Sequence, residues 1–94
     1  LFIHIGEEHV VHSNDVVAII DRILLTSSSI VEELIMNQRK KHKVYDSSYE
    51  NAKSIVITKD YIYFSPLSVS TLKKRSQLSL TLNKLEDYSD TFEE

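Results

Sequence analysis

Two basic runs, Arg39-Lys40-Lys41-His42-Lys43 and Lys73-Lys74-Arg75, are the residues best suited to hold a ligand. Point charges of this kind contact phosphate without strict geometry and release its condensed counterions. They also complement the negative end of a helix, so charge alone does not assign them a ligand. Tyr45, Tyr49, Tyr61 and Tyr63 are interspersed with these runs. Their simpler reading is as strand and interface aromatics rather than base-stacking platforms. His9 and His12 lie three apart on a candidate strand, which sends them to opposite faces, and no metal site is expected. Glu7-Glu8 and Glu32-Glu33 fit a turn and a helix N-terminus, not a pair of catalytic carboxylates. The single glycine excludes phosphate-cradling loops and dinucleotide fingerprints, which need several. No G-x-S-x-G elbow is present, and the serines read as turns, caps and strand surface. The absence of cysteine excludes disulfides, thiolate metal sites and cysteine nucleophiles, and makes a cytoplasmic address the simplest reading. No enzyme and no cofactor is expected.

The chain has 94 residues, room for one small domain whose thin core favours oligomerisation. Its 41% hydrophobic and 27% charged residues are ordinary for a globular protein. The net charge of −3 is unevenly spread: Glu86, Asp87, Asp90, Glu93 and Glu94 crowd the C-terminus. Setting aside those five of the 14 acids leaves 9 against 11 basic residues, a mildly basic remainder. The division expected is a domain over 1–84 and an acidic, disordered tail over 85–94. The best apolar run, Val16 to Ile20, stops at Asp21-Arg22, far short of a membrane span, and no membrane partner is expected. The chain begins with Leu1, and its first residues lack the charged region of a signal peptide.

An α+β domain must position the basic runs. Leu1 to Ile5 alternates as a strand, with Ile3 and Ile5 on one face and Phe2 and His4 on the other. His9 to His12 is its expected hairpin partner, and Ser13-Asn14-Asp15 a turn. Val16 to Ile20 is continuously apolar, the pattern of a strand covered on both faces. Ser29-Ile30-Val31-Glu32 reads as a capping box that opens an amphipathic helix over about 30–42. Ile30/Leu34 and Val31/Ile35 are assigned to its buried stripe. Lys43 to Tyr45 suits a short strand, followed by a polar loop to Ala52. Ser54 to Thr58 and Tyr61 to Phe64 form a hairpin that ends before Pro66. Ser68 can cap a short C-terminal helix to Arg75, with Val69 and Leu72 inward and Thr71, Lys74 and Arg75 sharing a sector. Strands over about 1–5, 9–12, 16–21, 54–58 and 61–65 make a five-stranded sheet whose edges invite self-association. Leu78, Leu80 and Leu82 alternate as in a strand, while Leu78, Leu82 and Leu85 would suit a helix equally.

Several of these segments resemble one known family. Phe2-Ile3-His4-Ile5-Gly6, Lys53 to Thr58, and Tyr63-Phe64-Ser65-Pro66-Leu67-Ser68 continuing through Ser70-Thr71-Leu72 to Arg75 look like RemB-type members of the RemA/RemB family of extracellular matrix regulators. The likeness covers about residues 1 to 76. It implies a LytTR-like, β-rich domain, a ring-shaped homo-oligomer, sequence-tolerant DNA binding and regulation of biofilm matrix genes in bacteria. Two departures bear on that role. Asp15 stands where RemA-type proteins carry an arginine, and Tyr49-Glu50-Asn51-Ala52-Lys53 replaces an arginine-rich loop. Both remove phosphate contacts, and Lys53 is the one position of that loop carried over.

Two functions follow as expectations. The first is an oligomeric, DNA-associated transcription regulator with Lys53, Lys73, Lys74 and Arg75 as phosphate contacts. The second is a homo-oligomeric interaction module, which pairs with itself or a paralogous regulator and touches no DNA.

Overall fold

The computed structural model describes residues 2–76. The expectations for Leu1, for the leucines at 78–85 and for the acidic tail lie outside these residues. Strand β1 (Phe2–Gly6) pairs antiparallel with β2 (His9–His12). A 3-10 turn (Ser13–Asp15) leads into β3 (Val16–Asp21), then into a short helix α1 (Leu24–Ser27) and the longer α2 (Ser29–Lys40). β4 (Val44–Tyr45), β5 (Ser54–Thr58) and β6 (Ile62–Ser65) follow, and a third helix, α3, occupies 69–76. The α+β class read from the sequence is the one observed.

The strands do not form one five-stranded sheet. β1 and β2 are a separate hairpin, and the main sheet has the order β3-β5-β6-β4, with β4 parallel to β6 and the other pairs antiparallel. β5 is therefore an inner strand and β3 an edge. Ile55 and Ile62 face α2 and, with Ile35, Ala52 and Phe64, form one core. Val56 faces the other way and packs with Ile3, Ile5 and Val11 of the hairpin and Leu72 of α3. The molecule is thus three layers: helices α1 and α2, the sheet, and a lid made of the hairpin and α3.

The lid is fastened at one corner. Ser54 and Ser65 face each other across β5 and β6 and are both buried. The Ser65 hydroxyl donates to the Ile5 carbonyl and accepts from the Leu67 amide, and the Ser54 hydroxyl donates to the Leu67 carbonyl at 2.7 Å. Gly6 passes so close that a Cβ there would sit 2.7 Å from Cδ of Pro66. With φ at +114° it also holds a conformation open only to glycine at low cost.

Three local expectations need correction. Ser28, not Ser29, caps α2: its hydroxyl accepts from the Val31 amide at 3.3 Å, and Ser29 is the first helical residue. The Ile30/Leu34 pair is on the outside of α2, with Ile30 78% exposed, while Val31 and Ile35 face the sheet. A helix covered by the sheet on one side only buries one of two adjacent apolar rows. Finally, β3 is enclosed only in part: Ile19 packs on the lid core and Ile20 on the α2 core, but none of its residues is fully buried and Val17 is 66% exposed.

At its far end α2 closes with a Schellman motif, in which the His42 amide bonds the Arg39 carbonyl at 3.0 Å and the Lys43 amide bonds that of Gln38 at 3.0 Å. His42 takes the left-handed position at φ 58°, usually a glycine's, and the turn delivers Val44 to the sheet. Among the described residues no helix is long and apolar enough to cross a membrane.

Candidate nucleic-acid interface

The four expected phosphate contacts stand on two elements. α3 is capped as its sequence suggests: the Ser68 hydroxyl accepts from the Thr71 amide at 3.2 Å and meets the Thr71 hydroxyl at 2.9 Å. Leu72 is fully buried beneath the helix, which turns Lys73, Lys74 and Arg75 outward. Arg75 also has a structural task, since its guanidinium donates to the His4 carbonyl at 2.6 Å and ties α3 to β1. A guanidinium carries five N–H donors, so this bond leaves others to meet a phosphate.

Lys53 lies elsewhere. Its amide bonds the Ser65 carbonyl at 2.8 Å, and its carbonyl accepts from the Arg22 amide at 3.2 Å, so it extends the β5 ladder by one rung. Strand alternation then puts its exposed side chain on the side of Ile55 and α2, opposite the lid that carries α3. No hydrogen bond or ion pair among the described residues links Lys53 to the cations of α3.

Arg22 was passed over in the sequence, where it only interrupts an apolar run. It stands directly across the ladder from Lys53, and opposed residues of an antiparallel pair leave the same face. Its guanidinium sits 4.7 Å from the Tyr49 ring centroid and donates to the Tyr49 carbonyl. The pairing of Asp21 with Ser54 is the signal that would have found it, but register is not written in either strand alone. The first basic run is partly engaged too: Arg39 bonds Asp46 at 2.7 Å and lies 5.3 Å from the Tyr49 centroid. Lys40 and Lys41 remain exposed beyond it.

Tyr45, Tyr61 and Tyr63 form an aromatic cluster with His9, while Tyr49 lies beneath Arg22 and Arg39. Tyr45 stacks on Tyr63 with centroids 4.9 Å apart and ring planes 5° apart, and His9 leans on both. Burial first, then the Tyr45 and Tyr61 phenols and the Asp60 carboxylate, raise the Tyr63 pKa above its ordinary 10.0. The other lid histidines serve local turns: the His4 ring lies 2.9 Å from the Glu7 carbonyl, and His12 Nδ1 accepts from the Asn14 amide at 3.2 Å.

Residues 2–76 match the family described as RemA-like, extracellular matrix regulatory protein A-like. The chain is also 46% identical over 83 residues to extracellular matrix regulatory protein B of Bacillus subtilis (strain 168), covering 88% of this chain and 99% of that protein. The matched span contains the lid, the sheet and α3. This chain belongs to the RemA-like family of extracellular matrix regulatory proteins, with a RemB-type relative among its curated neighbours.

Proposed function

We propose that this protein is an oligomeric, DNA-associated regulator of extracellular matrix genes that acts by binding, not catalysis. The observation that supports DNA association is the outward row on α3, where Lys73 and Lys74 are exposed and Arg75 is anchored beside them. Repetition of that row around an assembly would give a basic rim that holds phosphates without reading bases. Arg22 and Lys53 provide a second, smaller pair of cations on the opposite side of the sheet.

Self-association is supported by the apolar side chains left outside. Val17 on the edge strand, Ile23, and Ile30, Leu34 and Met36 on α2 are all exposed. An assembly that covered these side chains would remove apolar surface from water. The same exposed side chains favour the second reading, a matrix-regulating interaction module that meets a paralogous regulator and not DNA.

The discriminating experiment is retention on duplex DNA as a function of salt. Lys73→Glu/Lys74→Glu is the clean variant, because Arg75 also holds the fold together. Under the DNA reading it abolishes retention, and any residual binding has a flatter salt dependence. Absence of retention by the intact protein at low salt would leave the interaction module standing. Native mass spectrometry checks the assembly, and a monomer at micromolar concentration would sink the oligomer in both readings.

A further inference from the structure

On the side of the lid where β2 meets the β5–β6 turn, a groove of about 280 Å³ is built from aromatic rings and two carboxylates. Phe2 and His12 meet edge to face in its wall, with centroids 5.2 Å apart. Tyr61 and Tyr63 contribute two further rings, 6.5 Å apart, and Asp15 and Asp60 bring the charge. The apolar surface there is open: Phe2 is 71% exposed and Val10, beside it, 52%.

The scaffold that presents the carboxylates is fixed by backbone bonds. The Thr58 amide bonds the Tyr61 carbonyl at 2.9 Å, and the Thr58 hydroxyl accepts from the Tyr61 amide at 3.0 Å, which closes the β5–β6 turn. The Lys59 amide then bonds the Asp15 carbonyl at 2.9 Å and ties that turn to the 3-10 turn. Asp15 and Asp60 thus keep their spacing without spending side-chain bonds on it. Neither charge is strongly neutralised: the Lys59 ammonium is 3.8 Å from Asp15, with both side chains more than half exposed, and Asp60 has no ion pair among the described residues. Exposed pairs of that kind contribute little.

From this geometry we infer that the groove receives an arginine-bearing segment of a partner protein. Aromatic faces and carboxylates both attract cations, and a planar guanidinium satisfies both at once by stacking on a ring while its fork meets a carboxylate. An ammonium ion is compact and strongly hydrated, and gains less from the rings. A nucleic acid would be repelled by Asp15 and Asp60, so this surface is distinct in charge from the α3 row and does not depend on the DNA reading.

The test is a titration of a fluorescein-labelled oligo-arginine peptide with the full chain, followed by anisotropy. Asp15→Asn/Asp60→Asn is expected to weaken binding about tenfold or more, and Tyr61→Ala to weaken it in the same direction. An oligo-lysine peptide of equal length is expected to bind less tightly than oligo-arginine. Unchanged affinity in the double variant would overturn the proposal, since binding would then lie in other acidic residues. Equal affinity for the two peptides would overturn it as well, by reducing the groove to bare charge. If the double substitution instead dissociates an assembly of the native chain, as read by sedimentation, the occupant is a second copy and the foreign segment is excluded. Circular dichroism on both variants controls for folding.

Discussion

β3 and β5 have nearly the same sequence character and opposite fates. Val16 to Ile20 is wholly apolar, yet none of these residues is fully buried; Ser54 to Thr58 is flanked by hydroxyls, yet Ile55 and Val56 are sealed on both faces. The difference is position in the sheet. β5 has hydrogen-bonded neighbours on both sides, α2 beneath it and the lid above, whereas β3 has β5 on one side only. Among the described residues, β5 is therefore covered on both faces by its own chain, whereas β3 is covered only in part, with Ile19 against the lid core and Ile20 against the α2 core. Edge strands of this kind are where small domains meet their partners.

The contrast can be attacked most directly by removing side chains from each strand. Ile55→Ala should cost about 2–5 kcal/mol in urea denaturation, since it opens a cavity that two layers cannot collapse to fill. If the cost is under about 1 kcal/mol, β5 is not the sealed centre described here. The lid above Val56 is tested by Gly6→Ala, where a methyl group would strike the Pro66 ring and the backbone would be strained. A loss of about 1–3 kcal/mol is expected in the same assay. At the opposite edge, His42→Gly should stabilise the turn that delivers β4 by about 0.5–1 kcal/mol, seen as a raised Tm, because glycine takes the left-handed position without a Cβ clash. Val17→Thr should change the stability of the single chain by less than about 0.5 kcal/mol. A larger loss for Val17→Thr that depends on protein concentration would locate the missing cover of β3 in the assembly.

The smallest effect concerns pH. Since the folded protein raises the Tyr63 pKa, its contribution to stability is complete below the ordinary value of 10.0 and is lost as pH rises from there toward the folded value. Denaturation midpoints should fall across that alkaline window, and Tyr63→Phe should flatten the fall.

Local chemistry made the elements legible. The β5–β6 hairpin was visible in Ile55, Ile57, Ile62 and Phe64 around Lys59-Asp60, the β1 face in Ile3 and Ile5, and the α3 cap in Ser68. Non-local arrangement was not. Ile30 and Leu34 offer as good a helical row as Val31 and Ile35, and only the placement of the sheet chooses between them. Three consecutive serines offer the same capping hydroxyl, and the choice fell to Ser28 because α1 ends there in extended backbone at φ −126°. For the candidate interface, the α3 cations could be read from helical spacing, but the juxtaposition of Arg22 with Lys53 required the β3–β5 register. The carboxylate and aromatic groove joins Phe2 to Tyr61, positions no local pattern connects.

The corner where Ser65 holds Ile5 also sets a timetable for synthesis. That bond spans 60 positions, and the one from Arg75 to His4 spans 71, so the first strand made is among the last to be secured. Loop-closure entropy must be met before such contacts return anything, which slows folding relative to a chain of local contacts. At about 5–20 residues per second, the hairpin waits several seconds on the ribosome with Ile3, Ile5 and Val11 uncovered. During that interval the nascent chain displays the lid's underside as an apolar surface that its own polypeptide covers only later.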